Sequence, residues 1–307
     1  MCRHPSTVHG GARRGIRLRA VTTLPGNVPA HSLSDGSTIP QLGFGVWQVP
    51  DDEAQVAVTE ALRVGYRLID TAAAYRNEAG VGRAVAESGL ARDEIYLTTK
   101  LNNPDQGYDA ALRAYDASVE RLGVETVDLY LIPWAAPAFD LYSDSWKAFV
   151  HLLEEGRVRS IGVSNFQVAY LERIIGETGV TPVLNQIELH PYLQQEELRA
   201  FHAEHGIATE AWSPLGSGKG LLDDPVFAEI ARAHHATPAQ VVLAWHLQIG
   251  NVVIPKSVTP ARIEENLAAA TLRLTDEDMA AIAGQDRGHR YGGDPDNVTW
   301  GKPAHLG

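Results

Sequence analysis

Three side chains of complementary chemistry stand at the outlets of apolar runs. Asp70 closes Leu68-Ile69-Asp70 and is followed, across Thr71 and three alanines, by Tyr75; Lys100 closes Leu97-Thr98-Thr99-Lys100. A phenol, an ammonium and a carboxylate together look like most of a proton-donating site. A phenol ionises in water only near about pH 10, and a neighbouring ammonium favours the phenolate and so lowers that value. Singly, each residue reads as packing or surface; together at strand ends they point to function. A further outlet, Leu131-Ile132-Pro133-Trp134, carries at Pro133 a residue that can neither donate nor titrate.

Such residues are far apart in sequence and need a scaffold that gathers strand ends. Extended runs are expected near 41–47, 66–71, 95–100, 127–134, 158–164, 183–189, 207–213 and 252–256, separated by amphipathic stretches such as 51–64, 109–122, 142–155, 196–205 and 225–235. Eight strands alternating with helices suggest a (β/α)8 TIM barrel, in which the C-terminal strand ends share one face and build the site. An open doubly wound sheet is the alternative, but no Gly-x-Gly-x-x-Gly opens the first strand-to-helix turn. Gly65, Gly123, Gly156 and Gly206 each lie between a helical stretch and a strand, as glycines just past helix C-termini do. Before the barrel, Asp35-Gly36 between short extended segments predicts an N-terminal β-hairpin with a tight turn whose two central residues both take positive φ.

The expected organisation is a disordered tail over residues 1–29 and a single barrel domain over 30–307. Arg3, Arg13, Arg14, Arg17 and Arg19 sit in an aperiodic polar segment; Arg13-Arg14 suggests an export signal, but Ala20–Leu24 is too short an apolar stretch, which leaves the tail reading. The one cysteine is Cys2, and no apolar run is long enough to span a bilayer, so a cytoplasmic protein without membrane contact is expected. A formal charge of −12 argues against nucleic acid as partner, leaving room for one local basic patch. No metal is expected: His190, with His202 and His205 downstream, lacks the acid or thiol spacing of a ligand set.

The segments Gly65–Ala72, Asn77–Gly82, Ser160–Phe166, Asn185–Pro191 and Ile254–Asn266 together resemble the aldo-keto reductases, and within them the bacterial, actinobacterial-type branch that includes diketogluconate reductases, with similarity from about residue 33 to 290. The resemblance implies an NADPH-dependent monomer that reduces a small aldehyde or ketone. Tyr75 would be the general acid, Lys100 the cation that tunes it and Asp70 the partner of Lys100. It places Ser164, Asn165 and Gln186 at the nicotinamide carboxamide, Trp212 against the ring, and Ser213, Leu215 and Ser217 in a loop over the pyrophosphate. Lys256, Ser257, Val258 and Arg262 resemble a pocket for the adenosine 2′-phosphate, with Glu265 and Asn266 at the adenine. His190-Pro191 is structural in such proteins.

Two departures bear on substrate. The family pattern has histidine where this chain has Pro133, so the group that hydrogen-bonds the substrate carbonyl is missing; such a donor contributes about 2.7–4 kcal/mol at an oxyanion site. Asn102 and Asn103 follow Leu101 where a tryptophan is usual, which makes one wall more polar, while Trp47, Trp134, Tyr291 and Trp300 are expected as apolar walls. Two rival readings follow: reduction of a conjugated C=C or C=N bond, and a non-catalytic NADPH-binding sensor.

Overall fold

The computed structural model describes residues 27–303 and Leu306. The tail expectation therefore falls mostly outside the described residues. The fold is entered before Ala30, because Val28 is buried and Pro29 O accepts the Gln41 N–H at 2.8 Å.

A hairpin comes first, β1 (Ala30–Ser32) antiparallel to β2 (Thr38–Pro40). Its turn differs from the expectation: Gly36 has φ 88°, while Asp35 is not among the residues with positive φ. The loop is longer than two residues, closed by Leu33 N to Ser37 O and Gly36 N to Leu33 O. Asp35 keeps ordinary backbone geometry because its carboxylate is engaged, accepting from Ser37 N at 2.9 Å and from Ser160 Oγ at 2.6 Å.

Eight parallel strands follow: β3 (Phe44–Gly45), β4 (Leu68–Asp70), β5 (Tyr96–Lys100), β6 (Leu129–Ile132), β7 (Ser160–Ser164), β8 (Leu184–Glu188), β9 (Ala208–Trp212) and β10 (Val252–Val253). They pair in chain order, and the sheet closes where Gly43 N donates to Val253 O and Val253 N to Gln41 O. Each expected strand is present, shorter than drawn. Around the barrel lie α1 (Asp51–Val64), α2 (Glu78–Glu87), α3 (Tyr108–Leu122), α4 (Tyr142–Glu154), α5 (Val168–Thr178), α6 (Glu196–His205), α7 (Pro225–Ala233), α8 (Pro238–Gln248), α9 (Pro260–Ala268) and α10 (Asp276–Ala283). Helix starts follow from local chemistry: Asp224 caps α7 ahead of Pro225, and Thr237 with Gln240 forms a capping box ahead of Pro238 at α8. The four glycines between helix and strand all have positive φ, from 65° at Gly123 to 122° at Gly65.

Two cores result. The larger packs the outer strand faces against the helices; the smaller lies inside the barrel, built from Leu68, Leu129, Leu131, Leu184, Ala208, Val252 and Ile254, with Leu33 and Ile39 of the hairpin. The hairpin thus closes the N-terminal end of the barrel. Along β8 and β9 the inward side chains run from Leu184 and Ala208 through Gln186 and Glu210 to Glu188 and Trp212, so the interior turns polar toward the C-terminal mouth. No helix among the described residues is long and apolar enough to cross a membrane.

Candidate active site

At that mouth Lys100 is 3% exposed and Asp70 1%. Lys100 Nζ donates to Asp70 Oδ1 at 2.6 Å, to Thr71 O at 2.9 Å and to Tyr75 Oη at 3.4 Å. Two strand ends and the loop after β4 therefore converge on one ammonium. Tyr75 ends the single turn Ala73–Tyr75, and Arg76 behind it is left-handed with φ 59°. Asn77, fully buried, anchors this loop: Oδ1 accepts from Thr71 Oγ1, and Nδ2 donates to Val46 O and Val49 O, each at 2.9 Å. A buried amide spanning two loops has no local signal in the sequence, where Asn77 only opens a segment that matches the family.

Burial would lower the Lys100 ammonium, but Asp70 and Tyr75 outweigh it and hold it above its ordinary value. The phenol corrects an expectation. Burial, with Asp70 adding to it, pushes Tyr75 above its ordinary value; Lys100 opposes the shift without reversing it. Burial decides the direction, and the Asp70 carboxylate, 2.6 Å from the ammonium, offsets part of the field that Lys100 exerts on the phenol from 3.4 Å. Tyr75 is accordingly a protonated donor at neutral pH.

One cavity of about 1190 Å³ extends from this triad to the start of α9. All the residues singled out above as catalytic, cofactor-binding or pocket wall line it except Tyr291. Asn165, at φ 59°, is held on three sides: Nδ2 donates to Pro133 O at 2.9 Å and to Ser164 Oγ at 3.0 Å, and Oδ1 accepts from Trp212 Nε1 at 2.8 Å. Pro133 stands one residue past β6, where its missing N–H is tolerated, and offers the site only a carbonyl already engaged by Asn165. Ser217 Oγ donates to Ser213 Oγ at 2.7 Å, which folds the loop between them. At the far end Lys256 and Arg262 are exposed and form no ion pair among the described residues, in a chain with an excess of twelve acids over bases. Glu265 is engaged there by Thr237 Oγ1 at 2.7 Å.

The apolar wall is an aromatic series: Trp134 meets Trp212 edge-on at 6.5 Å and Trp300 at 5.6 Å, while Trp47 stands half exposed at the rim. Tyr291 does not line the cavity. Its backbone N–H is pinned to Glu188, its ring packs on His190 at 4.8 Å, and Lys219 lies over that ring. His190 itself is fully buried, with Nε2 3.1 Å from Glu188 Oε1. Asn102 and Asn103 line the cavity as expected, and Gly292 and Gly293 line it beyond the residues foreseen. A Cβ on Gly292 would fall 2.3 Å from Trp212 Cη2, so this position admits glycine alone.

A barrel with a buried ammonium between carboxylate and phenol, at the base of a cleft with two exposed cations at its far end, is the arrangement of an enzyme site with room for a small substrate beside an anionic ligand. Residues 41–287 match the Aldo/keto reductase family, and the chain belongs to that family. It is 57% identical to an aldo-keto reductase of Mycolicibacterium smegmatis over 267 residues, 87% of this chain and 97% of that one. It is 51% identical to the methylglyoxal reductase DkgA of Salmonella typhimurium over 265 residues, 86% and 96% of the two chains. Among solved structures, an aldo/keto reductase from Brucella melitensis is 57% identical with TM-score 0.82, covering 87% of this chain and all of that one. A Gox0644 variant in complex with NADPH is 50% identical with TM-score 0.86, covering 89% and 99%.

Proposed function

We propose that this protein reduces a small aldehyde or ketone to the alcohol at the expense of NADPH, with Tyr75 as general acid. The observation that carries the reading is the position of Lys100 Nζ, between Asp70 and Tyr75 at the closed end of a cavity whose other end holds Lys256 and Arg262, which form no ion pair among the described residues. The cavity fits NADPH in its donor set: a polar corner of Ser164, Asn165 and Gln186 suits the carboxamide, Trp212 offers a ring face, and two cations beside the start of α9 suit a phosphate dianion. Bound NADPH supplies a hydride to the carbonyl carbon. Tyr75 Oη gives its proton to the carbonyl oxygen as charge develops there, leaving a phenolate that Lys100 stabilises. Asp70 keeps the ammonium in place and neutralises it in a buried setting. The likeness to a methylglyoxal reductase makes α-oxoaldehydes the first substrates to test.

Replacing Tyr75 by Phe keeps the ring and removes the proton. Turnover should fall by about two decades or more, the usual scale of lost general acid catalysis, with NADPH binding retained. Unchanged turnover would place the donor elsewhere. Pro133 favours a second reading, reduction of a conjugated C=C or C=N bond, since the mouth gives a carbonyl oxygen no imidazole donor; a panel of α-oxoaldehydes, enones and cyclic imines followed by NADPH absorbance separates the two. We take the enzyme to be a cytoplasmic monomer, on the grounds of its charge and single terminal cysteine; sedimentation at micromolar concentration tests the oligomeric part.

A further inference from the structure

Glu210 is a fully buried carboxyl group in the middle of β9 that the chemistry above does not use. Its Oε2 accepts from Gln186 Nε2 at 2.8 Å, and its Oε1 has no partner among the described residues. The same Gln186 Nε2 donates to Asp70 Oδ2 at 2.9 Å. A primary amide has two N–H donors, and both are now directed at carboxyl oxygens. The flipped amide would set Gln186 Oε1 against those oxygens, so one orientation is enforced. Gln186 lines the cavity, and the atom left for it to offer there is Oε1, an acceptor. With Asp70 alone, the second N–H would be free to swing toward the cavity and the amide could act as donor or acceptor.

We propose that Glu210 is a positioning residue: its carboxyl completes the lock on the Gln186 amide and makes Gln186 a pure acceptor toward the carboxamide N–H of the nicotinamide. The inference rests on the NADPH reading. The groups facing Glu210 are Asp70 from β4, Lys100 and Tyr96 from β5, and Tyr75 from the loop after β4. Among them one ammonium is already matched by one carboxylate, so an ionised Glu210 would leave a buried net negative charge. Burial first, and Asp70 second, push its carboxyl up to about 8, against the weaker pull of Gln186 and Lys100. A protonated carboxyl still accepts through its carbonyl oxygen, so the lock does not require the charge.

Two variants separate positioning from packing. Glu210→Met fills the space and removes the acceptor; Glu210→Gln restores an acceptor oxygen and cannot ionise. The readout is binding, by tryptophan quenching, of NADPH and of its reduced acetylpyridine analogue, which has an acetyl group in place of the carboxamide and so no N–H. The unmutated protein should prefer NADPH by about tenfold, the scale of one well-placed hydrogen bond. The Met variant should shrink that preference to about twofold, because the freed amide turns to donate to the acetyl oxygen, and the Gln variant should rescue it. A preference that survives in the Met variant overturns the proposal; absence of NADPH binding to the unmutated protein overturns both it and the reading beneath it. If the Met variant does not fold, Glu210→Leu, which also lacks an acceptor, is read in its place: a preference that shrinks to about twofold supports the lock, and a preference that stays near tenfold overturns it.

Discussion

Replacement of Glu188 by Ala should open the mouth of the cavity without touching the triad. Glu188, at the end of β8, is fully buried and accepts the backbone N–H groups of Tyr291 at 2.5 Å and Gly292 at 2.9 Å. His190 Nε2 lies 3.1 Å and Arg290 Nη1 3.5 Å from the same carboxylate. This is how the segment carrying Gly292, Gly293 and Trp300 is fastened over the site. Two hydrogen bonds to a charged acceptor set a ceiling of about 3–6 kcal/mol, and a segment released into water recovers part of it, leaving about 2–3 kcal/mol. For a domain of this size that is a fall in Tm of roughly 4–10 °C. The function should split: KM for the carbonyl substrate rises because Trp300 leaves Trp134, while NADPH affinity, set largely at Lys256 and Arg262, changes little. Calorimetry, limited proteolysis of the C-terminal segment and steady-state kinetics read these three effects. The acid dependence has a definite sign. Burial would raise the Glu188 carboxyl, but His190 and the two backbone N–H groups outweigh it and hold it below its ordinary value. Its contribution is therefore complete above the ordinary carboxylate range and is lost only as pH falls through the lowered value, so the variant and the parent should converge in acid and diverge at neutral pH. An alanine variant with parental Tm, parental KM and a protease-resistant C-terminal segment would refute the latch.

Arg262→Ala should weaken NADPH by about 1.5–3 kcal/mol, as for one lost hydrogen bond to a charged group, and leave NADH unaffected; equal affinity of the unmutated protein for the two cofactors would remove the claim. Pro133→His should raise kcat/KM for simple aldehydes at least about tenfold, which requires roughly 1.4 kcal/mol of transition-state stabilisation, with Pro133→Ala as the control for the restored N–H. Lost activity in the histidine variant would instead favour the C=C or C=N reading.

The barrel and the triad were legible because parallel strands leave a strong trace: short apolar runs of regular spacing, each ending in the residue that meets the others at one face. Lys100, Asp70 and Tyr75 were picked out by their place at strand ends together with the family resemblance, and the structure brings the three side chains together. What escaped the sequence is long-range and polar. Glu188 and the backbone it holds are 103 and 104 residues apart, and nothing near either announces the other. Helix α8 is buried almost throughout, from Val241 to Leu247, so it carries no polar stripe to mark its face. Asp35-Gly36 reads locally as a two-residue turn, yet the carboxylate of Asp35 reaches Ser160, 125 residues away, and that tertiary bond accompanies a different loop. The direction of the Tyr75 shift also depends on burial and on how one ammonium divides between two partners, neither of which spacing reveals.

These features share an electrostatic logic. Around the Lys100 ammonium and its partner Asp70, Tyr75 and Glu210 both keep their protons at neutral pH, while the Glu188 carboxylate is held apart from them by the backbone N–H groups of Tyr291 and Gly292 and by Arg290. A neutral interior leaves the phenol's proton free to respond to charge that develops on the substrate oxygen, because no fixed surplus already opposes or anticipates that charge. The free cations are kept at the other end of the cavity, where Lys256 and Arg262 can hold an anionic anchor without acting on the proton donor. Pro133 fits this division of labour: losing a histidine removes a hydrogen bond that orients substrate and also a titratable group next to the phenol. Restoring the imidazole should therefore change the pH profile of kcat as well as its size, adding a limb near the ordinary histidine value of about 6.5 that the parent lacks. A histidine variant faster than the parent but with an unaltered pH profile would show that the imidazole orients substrate without coupling to Tyr75.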